Sequence, residues 1–131
     1  MSLFRHGGFK LHSGASSTWK IDCDALTDED LEVIAELIST IVPPFGKVEG
    51  VPRGGLRLAE AMGKHAGGPA GRLLIVDDVL TTGLSMEIHR GEREAYGAVI
   101  FSRASDWPTW IRPLFAMPSL REERSHQFRG Q

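Results

Sequence analysis

The 131-residue sequence contains one cysteine, Cys23, so no disulfide can form within the chain. A lone thiol suits a reducing compartment, and a cytoplasmic location is the expectation. No excess of one charge is present either. The formal net charge is -2, which argues against the polybasic footprint of a nucleic-acid binder. No apolar run approaches the ~20 residues that span a bilayer, so no membrane partner is expected. The opening MSLFRHGGFK lacks the continuous apolar stretch of a signal peptide, and Met1-Ser2-Leu3 is compatible with an expression leader. Repeats and low-complexity segments are absent. What remains is ordinary: 41% hydrophobic and 24% charged residues, close to the globular average. The length suits one compact domain over residues 1–131.

Residues 8–22 hold a Ser-Gly turn between two short extended pieces. Residues 28–41 read as a helix. Thr27 stands three before Asp30, the capping-box spacing, although Asp is a weaker partner than Glu. Asp28, Glu29 and Asp30 put negative charge at the positive end of the helix dipole. Leu31, Ile34, Ile38 and Ile41 recur at helical spacing, Leu37 widens the stripe, and Pro43-Pro44 stops it. Lys47–Val51 is a short strand candidate, and a second helix is expected over roughly 55–63. Residues 63–71, GKHAGGPAG, form a loop by composition. Leu73–Val76 is a continuous apolar run, the signature of a strand buried on both faces. The segment DDVLTTG reads as a loop feeding a helix over about 84–93. Ala98–Phe101 is a second apolar strand, 104–110 a loop or short helical turn, Arg112–Met117 a last strand, and 118–131 a polar tail. Alternation of strand and helix implies an α/β fold with a parallel sheet flanked by helices. Ligands then sit beyond the carboxyl ends of the strands, where both glycine-containing loops fall.

The richest chemistry lies in Leu74-Ile75-Val76-Asp77-Asp78-Val79-Leu80-Thr81-Thr82-Gly83-Leu84-Ser85. A buried strand delivers two adjacent carboxylates to a solvent edge, followed by hydroxyl residues, a glycine and a helix start. Unpaired N–H groups there suit a phosphate. Thr81, Thr82 and Ser85 add hydroxyl donors, and Gly83 permits close backbone approach. The carboxylates suit sugar hydroxyls, which need acceptors, and Mg²⁺, which prefers oxygen. Donors for a phosphate beside acceptors for a diol match a phosphorylated ribose. One strand earlier, Glu49-Gly50-Val51-Pro52-Arg53-Gly54-Gly55-Leu56 also joins a strand to a helix. Its glycines and the permanent charge of Arg53 suggest a second anion site.

The first segment resembles the signature of type I phosphoribosyltransferases for 5-phosphoribosyl-1-pyrophosphate (PRPP): four apolar residues, two acidic residues, a variable pair, then Thr-Thr/Ala-Gly. The resemblance implies that Asp77 and Asp78 contact the ribose hydroxyls, one aiding charge development at the anomeric carbon. It also implies that Val79, Leu80, Thr81, Thr82, Gly83 and Ser85 cradle the 5-phosphate. Mg²⁺ is the implied cofactor, reached indirectly through PRPP by Asp77 and Asp78. The second segment resembles the family's pyrophosphate loop, which often carries a strained cis peptide. There, Pro52 and Arg53 would hold the pyrophosphate, with Gly54 and Gly55 donating backbone N–H groups. Gly8–Gly14 and Trp19–Asp22 look like the base-covering opening of orotate phosphoribosyltransferases. His12 would take the basic position, Trp19 an aromatic one with Lys20 beside it, and Arg103 would pair with the base. Orotate or a related pyrimidine is thus the implied acceptor, with pyrophosphate released.

The sequence departs from that pattern between the two loops. Orotate enzymes carry there another sheet strand, often with an Arg-Lys pair, and a mobile loop with Lys and His that closes over PRPP. Here only residues 62–72 intervene, with Lys64 and His65 the sole basic pair before Arg72. The alternative to an enzyme is therefore a PRPP- or nucleotide-binding or regulatory module without turnover. Family members are commonly dimers, and a homodimer is expected.

Overall fold

The computed structural model describes residues 2–10 and 16–117. His12 and the polar tail lie outside the described residues. Two strands, β1 (Phe4–Lys10) and β2 (Ser16–Ile21), pair antiparallel with Phe4 opposite Ile21 and a bulge between His6 and Phe9. The extended region therefore begins before residue 8. Helix α1 (Asp28–Ile41) starts on the expected capping box: the Asp30 N–H donates to Thr27 Oγ1 at 3.0 Å, and the Thr27 N–H donates to Asp30 Oδ2 at 2.9 Å. Those bonds hold the Asp30 carboxyl below its ordinary range. The buried stripe is Leu31, Ile34, Ala35 and Ile38, narrower than the sequence pattern suggested, because Leu37 and Ile41 stay exposed. Each fully buried aliphatic side chain is worth roughly 1.5–3 kcal/mol.

The main sheet has four parallel strands in the order β3 (Lys47–Gly50), β4 (Leu73–Leu80), β5 (Tyr96–Ser102) and β6 (Ile111–Ala116). Helices α2 (Leu56–Met62) and α3 (Leu84–Arg90) join the first three. Alternation along β4 separates two cores. Leu74 and Val76 pack with α1 and α2 through Ile38, Leu58 and Met62. Leu73 and Ile75 pack on the other face with Met86 of α3 and Ile111, closed by Trp107 and Trp110. Three boundaries differ from the sequence reading. β4 runs four residues past Val76, because Asp77, Val79 and Leu80 keep pairing with Val99, Phe101 and Ser102. α3 ends at Arg90, where Gly91 takes φ +62°, a conformation glycine adopts freely. The last strand occupies Ile111–Ala116 rather than 112–117.

The strands step in one direction across the sheet, yet α2 and α3 cover opposite faces. Two crossovers that step the same way have the same hand only if they lie on the same face. The β5–β6 link, carrying Trp107 and Trp110, lies on the α3 side. Since parallel crossovers are right-handed in nearly all cases, the exception is the β3–α2–β4 connection.

A charged clasp ties β3 to α3. Glu49 accepts both Arg93 amino groups at 3.0 Å and pairs with His89 Nε2 at 3.0 Å. Arg93 chiefly, with His89 helping, holds the Glu49 carboxyl down at about 2. Glu49→Gln is expected to cost no more than about 1 kcal/mol at pH 7, because Arg93 is half exposed and its charge is screened, read from the urea midpoint. The folded pKa lies below the unfolded one, so the contribution is present above pH ~4.5 and is lost as pH falls through about 2. The difference between variant and parent should shrink accordingly in acid.

Candidate functional site

The carboxyl ends of β3 and β4 open into a cavity of about 1170 Å³, ample for a nucleotide-sized ligand. The end of β4 supplies its floor. Asp77 is 8% exposed, and its Oδ1 accepts the Asp78 N–H at 2.8 Å, while Asp78 Oδ1 accepts the Val79 N–H at 2.7 Å. Burial, then the charge of Asp78, pushes the Asp77 carboxyl up to about 8. Burial and the neighbouring carboxylate therefore favour the protonated form of Asp77 in the free protein. Two adjacent carboxylates in a poorly hydrated site behave this way because the second ionisation must work against the first.

Thr81, Thr82 and Gly83 form the turn into α3. Gly83 has φ +87° and offers no side-chain cap to the helix. Thr82 Oγ1 accepts the Leu84 N–H at 3.2 Å. Pro108, from the β5–β6 link, would lie 3.4 Å from a Cβ at Gly83, so this turn is backed from behind as well as fixed by φ. Val79, Leu80, Thr81, Thr82, Gly83 and Ser85 all line the cavity.

The loop after β3 lies opposite. The Val51 N–H donates to Val76 O at 2.8 Å, and the Gly55 N–H donates to Val51 O at 2.8 Å. The Pro52–Arg53 peptide is cis. Pro52, Arg53 and Gly54 line the cavity, whereas Gly55 is buried behind them with its N–H engaged inside the loop. Arg53 is exposed. The two loops meet at one point: a Cβ on Gly54 would overlap both carboxylate oxygens of Asp78. Only a residue without a side chain lets the β3 loop approach the β4 carboxylate this closely.

Of the residues expected near a base, Lys20 lines the cavity but Trp19 and Arg103 do not. Arg103 is 5% exposed; its guanidinium stacks 3.7 Å from the Trp19 ring centroid and donates to Trp19 O at 3.1 Å. Trp19 also leans on Phe4, which in turn meets Phe101. These contacts dock the β1–β2 hairpin onto β5. Lys64 pairs with Glu32 at 3.7 Å, and neither Lys64 nor His65 lines the cavity. Sequence reasoning missed Cys23, Asp24 and Arg57 as site residues and named Asp22 only as the end of the Trp19–Asp22 segment; all four line the cavity. Asp22 caps the turn Cys23–Ala25 by accepting the Asp24 N–H, and the Asp-x-Asp spacing could have flagged that turn. Arg57 donates to Leu26 O at 2.9 Å and Asp28 Oδ1 at 3.1 Å, locking α2 to the start of α1.

No family model matches the sequence, and no curated protein does. Solved structures do match. The orotate phosphoribosyltransferase from Aeropyrum pernix superposes with TM-score 0.69 at 19% identity, over 98% of this chain and 94% of that one. The fold is that of the type I phosphoribosyltransferases. The orotate phosphoribosyltransferase of Mycobacterium tuberculosis H37Rv gives TM-score 0.62 at 19% identity, over 87% of this chain and 89% of that one. The UMP synthase of Leishmania donovani gives 0.70 at 17% identity over 95% of this chain, which spans 36% of that protein. On this phosphoribosyltransferase fold, both signature loops stand at the carboxyl edge of the sheet and share one cavity. Among the described residues no three metal-binding side chains converge, and no helix is long and apolar enough to cross a membrane.

Proposed function

We propose that the protein binds PRPP in this cavity and transfers its 5-phosphoribosyl group to a nitrogenous base, releasing pyrophosphate. The observation that carries the reading is the meeting of Asp78 with Gly54. It brings a loop suited to the ribose 5-phosphate and a loop suited to pyrophosphate to either side of one carboxylate. The 5-phosphate would lie on the Thr81–Ser85 turn, the ribose hydroxyls on Asp77 and Asp78, and the pyrophosphate against Arg53 and Gly54. The donor set fits Mg²⁺, which typically takes one or two carboxylates and completes its shell with substrate phosphates and water. When bound, the ion supplies charge neutralisation for the departing pyrophosphate. Asp77 and Asp78 face the anomeric carbon, where positive charge develops as the C1–O bond lengthens. Orotate is the acceptor to which the family likeness points.

The test is a calorimetric titration with PRPP, with and without Mg²⁺, beside the Asp77→Asn/Asp78→Asn double variant. Saturable, Mg²⁺-dependent binding that the double variant loses is the expected result. Absence of binding at millimolar PRPP in the parent would sink the proposal. In the same titration, Asp78→Asn alone is expected to weaken Mg²⁺–PRPP at least tenfold, while preservation of affinity would remove Asp78 from the ribose site.

A second reading, PRPP binding without turnover, has its own support. The connection from α2 to β4 is short, and Lys64 and His65 lie away from the cavity. A closing lid excludes water and completes the clamp on a leaving group. Pyrophosphate release in the presence of a base separates the two readings. A homodimer belongs to the proposal; Val33, Leu37 and Ile41 form an exposed apolar stripe on α1. Light scattering at micromolar concentration tests it, and a monomer would count against it.

A further inference from the structure

One carboxylate in the cavity stands where its charge is least suited to the ligand. Glu87 lines the cavity together with residues 81–85, and its N–H donates to Gly83 O at 3.0 Å, one helical turn beyond the glycine. Asp77 and Asp78 can accept from ribose hydroxyls, but a carboxylate beside a phosphate offers only repulsion. Both Glu87 oxygens have partners. Oε1 accepts the Trp110 Nε1–H at 2.8 Å, and Oε2 accepts an Arg90 Nη2–H at 2.9 Å. The Arg90 guanidinium in turn stacks 4.3 Å from the Trp110 ring centroid. Three side chains thus close a triangle on the first helix turn after the phosphate loop.

The triangle is anchored on the sheet. The Trp110 indole packs against Gly97 of β5, where an added Cβ would fall 2.8 Å from a ring carbon, and the Gly97 N–H donates to Trp110 O at 2.8 Å. Two residues earlier in the same link, Pro108 backs Gly83. The Trp110 N–H therefore ties the Glu87 carboxylate to the β5–β6 link, but it brings a hydrogen bond and no charge. Arg90 brings the positive charge, through a charge-assisted bond. The neighbouring basic residues His89 and Arg93 are engaged with Glu49 instead. Arg90 is 26% exposed and Glu87 39%, so water screens the pair in part and added salt screens it further.

We propose that Arg90 is a positioning residue of the phosphate site that acts through Glu87: it neutralises this carboxylate and, with Trp110, holds it aside, so that residues 81–85 present donors to a phosphate without a competing negative charge. The proposal rests on the 5-phosphate lying on that turn. Its signature is a difference in sign. Were the triangle packing alone, loss of either charged member would weaken binding. A charge screen predicts opposite effects for Arg90 and Glu87.

Calorimetric dissociation constants for Mg²⁺–PRPP test this in the parent, Arg90→Gln, Glu87→Gln and the double variant. Arg90→Gln leaves Glu87 uncompensated and is expected to weaken binding about fivefold or more relative to the parent at about 50 mM salt, a ratio that shrinks to about twofold or less at about 0.5 M. Glu87→Gln keeps an oxygen for the Trp110 N–H and is expected to bind more tightly than the parent. The double variant should return to within about twofold of the parent, a rescue that lost packing would not give. If Arg90→Gln does not fold, Glu87→Gln decides alone: tighter binding supports the proposal, and equal or weaker binding overturns it. Unchanged affinity in Arg90→Gln, a loss that persists at high salt, or no recovery in the double variant overturns the proposal while PRPP binding by the parent still stands. Absence of PRPP binding in the parent protein would overturn the proposed function and this proposal together.

Discussion

Gly54→Ala is expected to weaken Mg²⁺–PRPP binding at least 100-fold, about 2.7 kcal/mol, while the fold survives. A methyl group at this position would occupy the space of the Asp78 carboxylate, so either the carboxylate rotates away or the β3 loop retreats. Overpacking of this kind costs ~1–3 kcal/mol of stability. Gly71→Ala is the control: a Cβ there meets nothing within 4 Å, and neither affinity nor melting temperature should move appreciably. Gly55→Ala should behave differently from both. Its Cβ would lie 2.5 Å from Val76 O and 2.7 Å from Val51 N, backbone atoms that cannot swing aside. Destabilisation is therefore the expected primary effect, with loss of binding as its consequence. Thermal melts and calorimetry on the three variants separate a site effect from a fold effect. Full PRPP affinity in Gly54→Ala would show that the two loops do not act on one ligand.

The second large effect concerns protons. Asp77 holds its proton up to about pH 8 in the free protein, against an ordinary value of 3.8. The folded pKa lies above the unfolded one. The folded state therefore binds the extra proton between those values, and stability falls as pH rises from about 4 through about 8. Asp77→Asn removes this titration. The variant is expected to melt progressively higher relative to the parent across that range, with a gain of ~1–3 kcal/mol at pH 8.5 and little difference near pH 4. Ligand should report the same group with the opposite consequence. Mg²⁺ and ribose hydroxyls that donate hydrogen bonds favour the ionised carboxylate. Binding of Mg²⁺–PRPP at pH 7 should thus release up to one proton in the parent and none from this position in the variant. Calorimetry in buffers of different ionisation enthalpy measures that release directly. A parent protein whose melting temperature is flat from pH 5 to 8.5 would refute the protonated Asp77.

Local signals in the sequence were reliable guides. The Thr27–Asp30 box, the apolar run 73–76 and the proline pair after α1 each report interactions among near neighbours, and all three stand in the structure. The extent of β4 was not legible because two aspartates disfavour a strand locally. What keeps Asp77–Leu80 extended is pairing with β5, a partner more than 20 residues away. The site was legible in its two loops, whose residue types declare their chemistry. The lining by Cys23, Asp24 and Arg57 was not. The partnership of Arg103 with Trp19 joins residues 84 positions apart, and nothing local says that this arginine packs into the hairpin instead of facing a base. Asp22 and Asp24 drew no turn or site reading of their own from the sequence; they flank the short turn after the hairpin, and the folded chain brings them to the cavity.

The hand of the β3–α2–β4 connection bears on how such a chain could be enlarged. A strand added after α2 on the open side of β3 would make the step from β3 to that strand right-handed, with α2 left where it is. The orotate enzymes carry an additional strand and a mobile loop in this interval. Residues 63–71 are thus a natural graft point, since none of them lines the cavity. A longer segment inserted there would extend from the sheet edge beside β3 while the existing core kept its contacts.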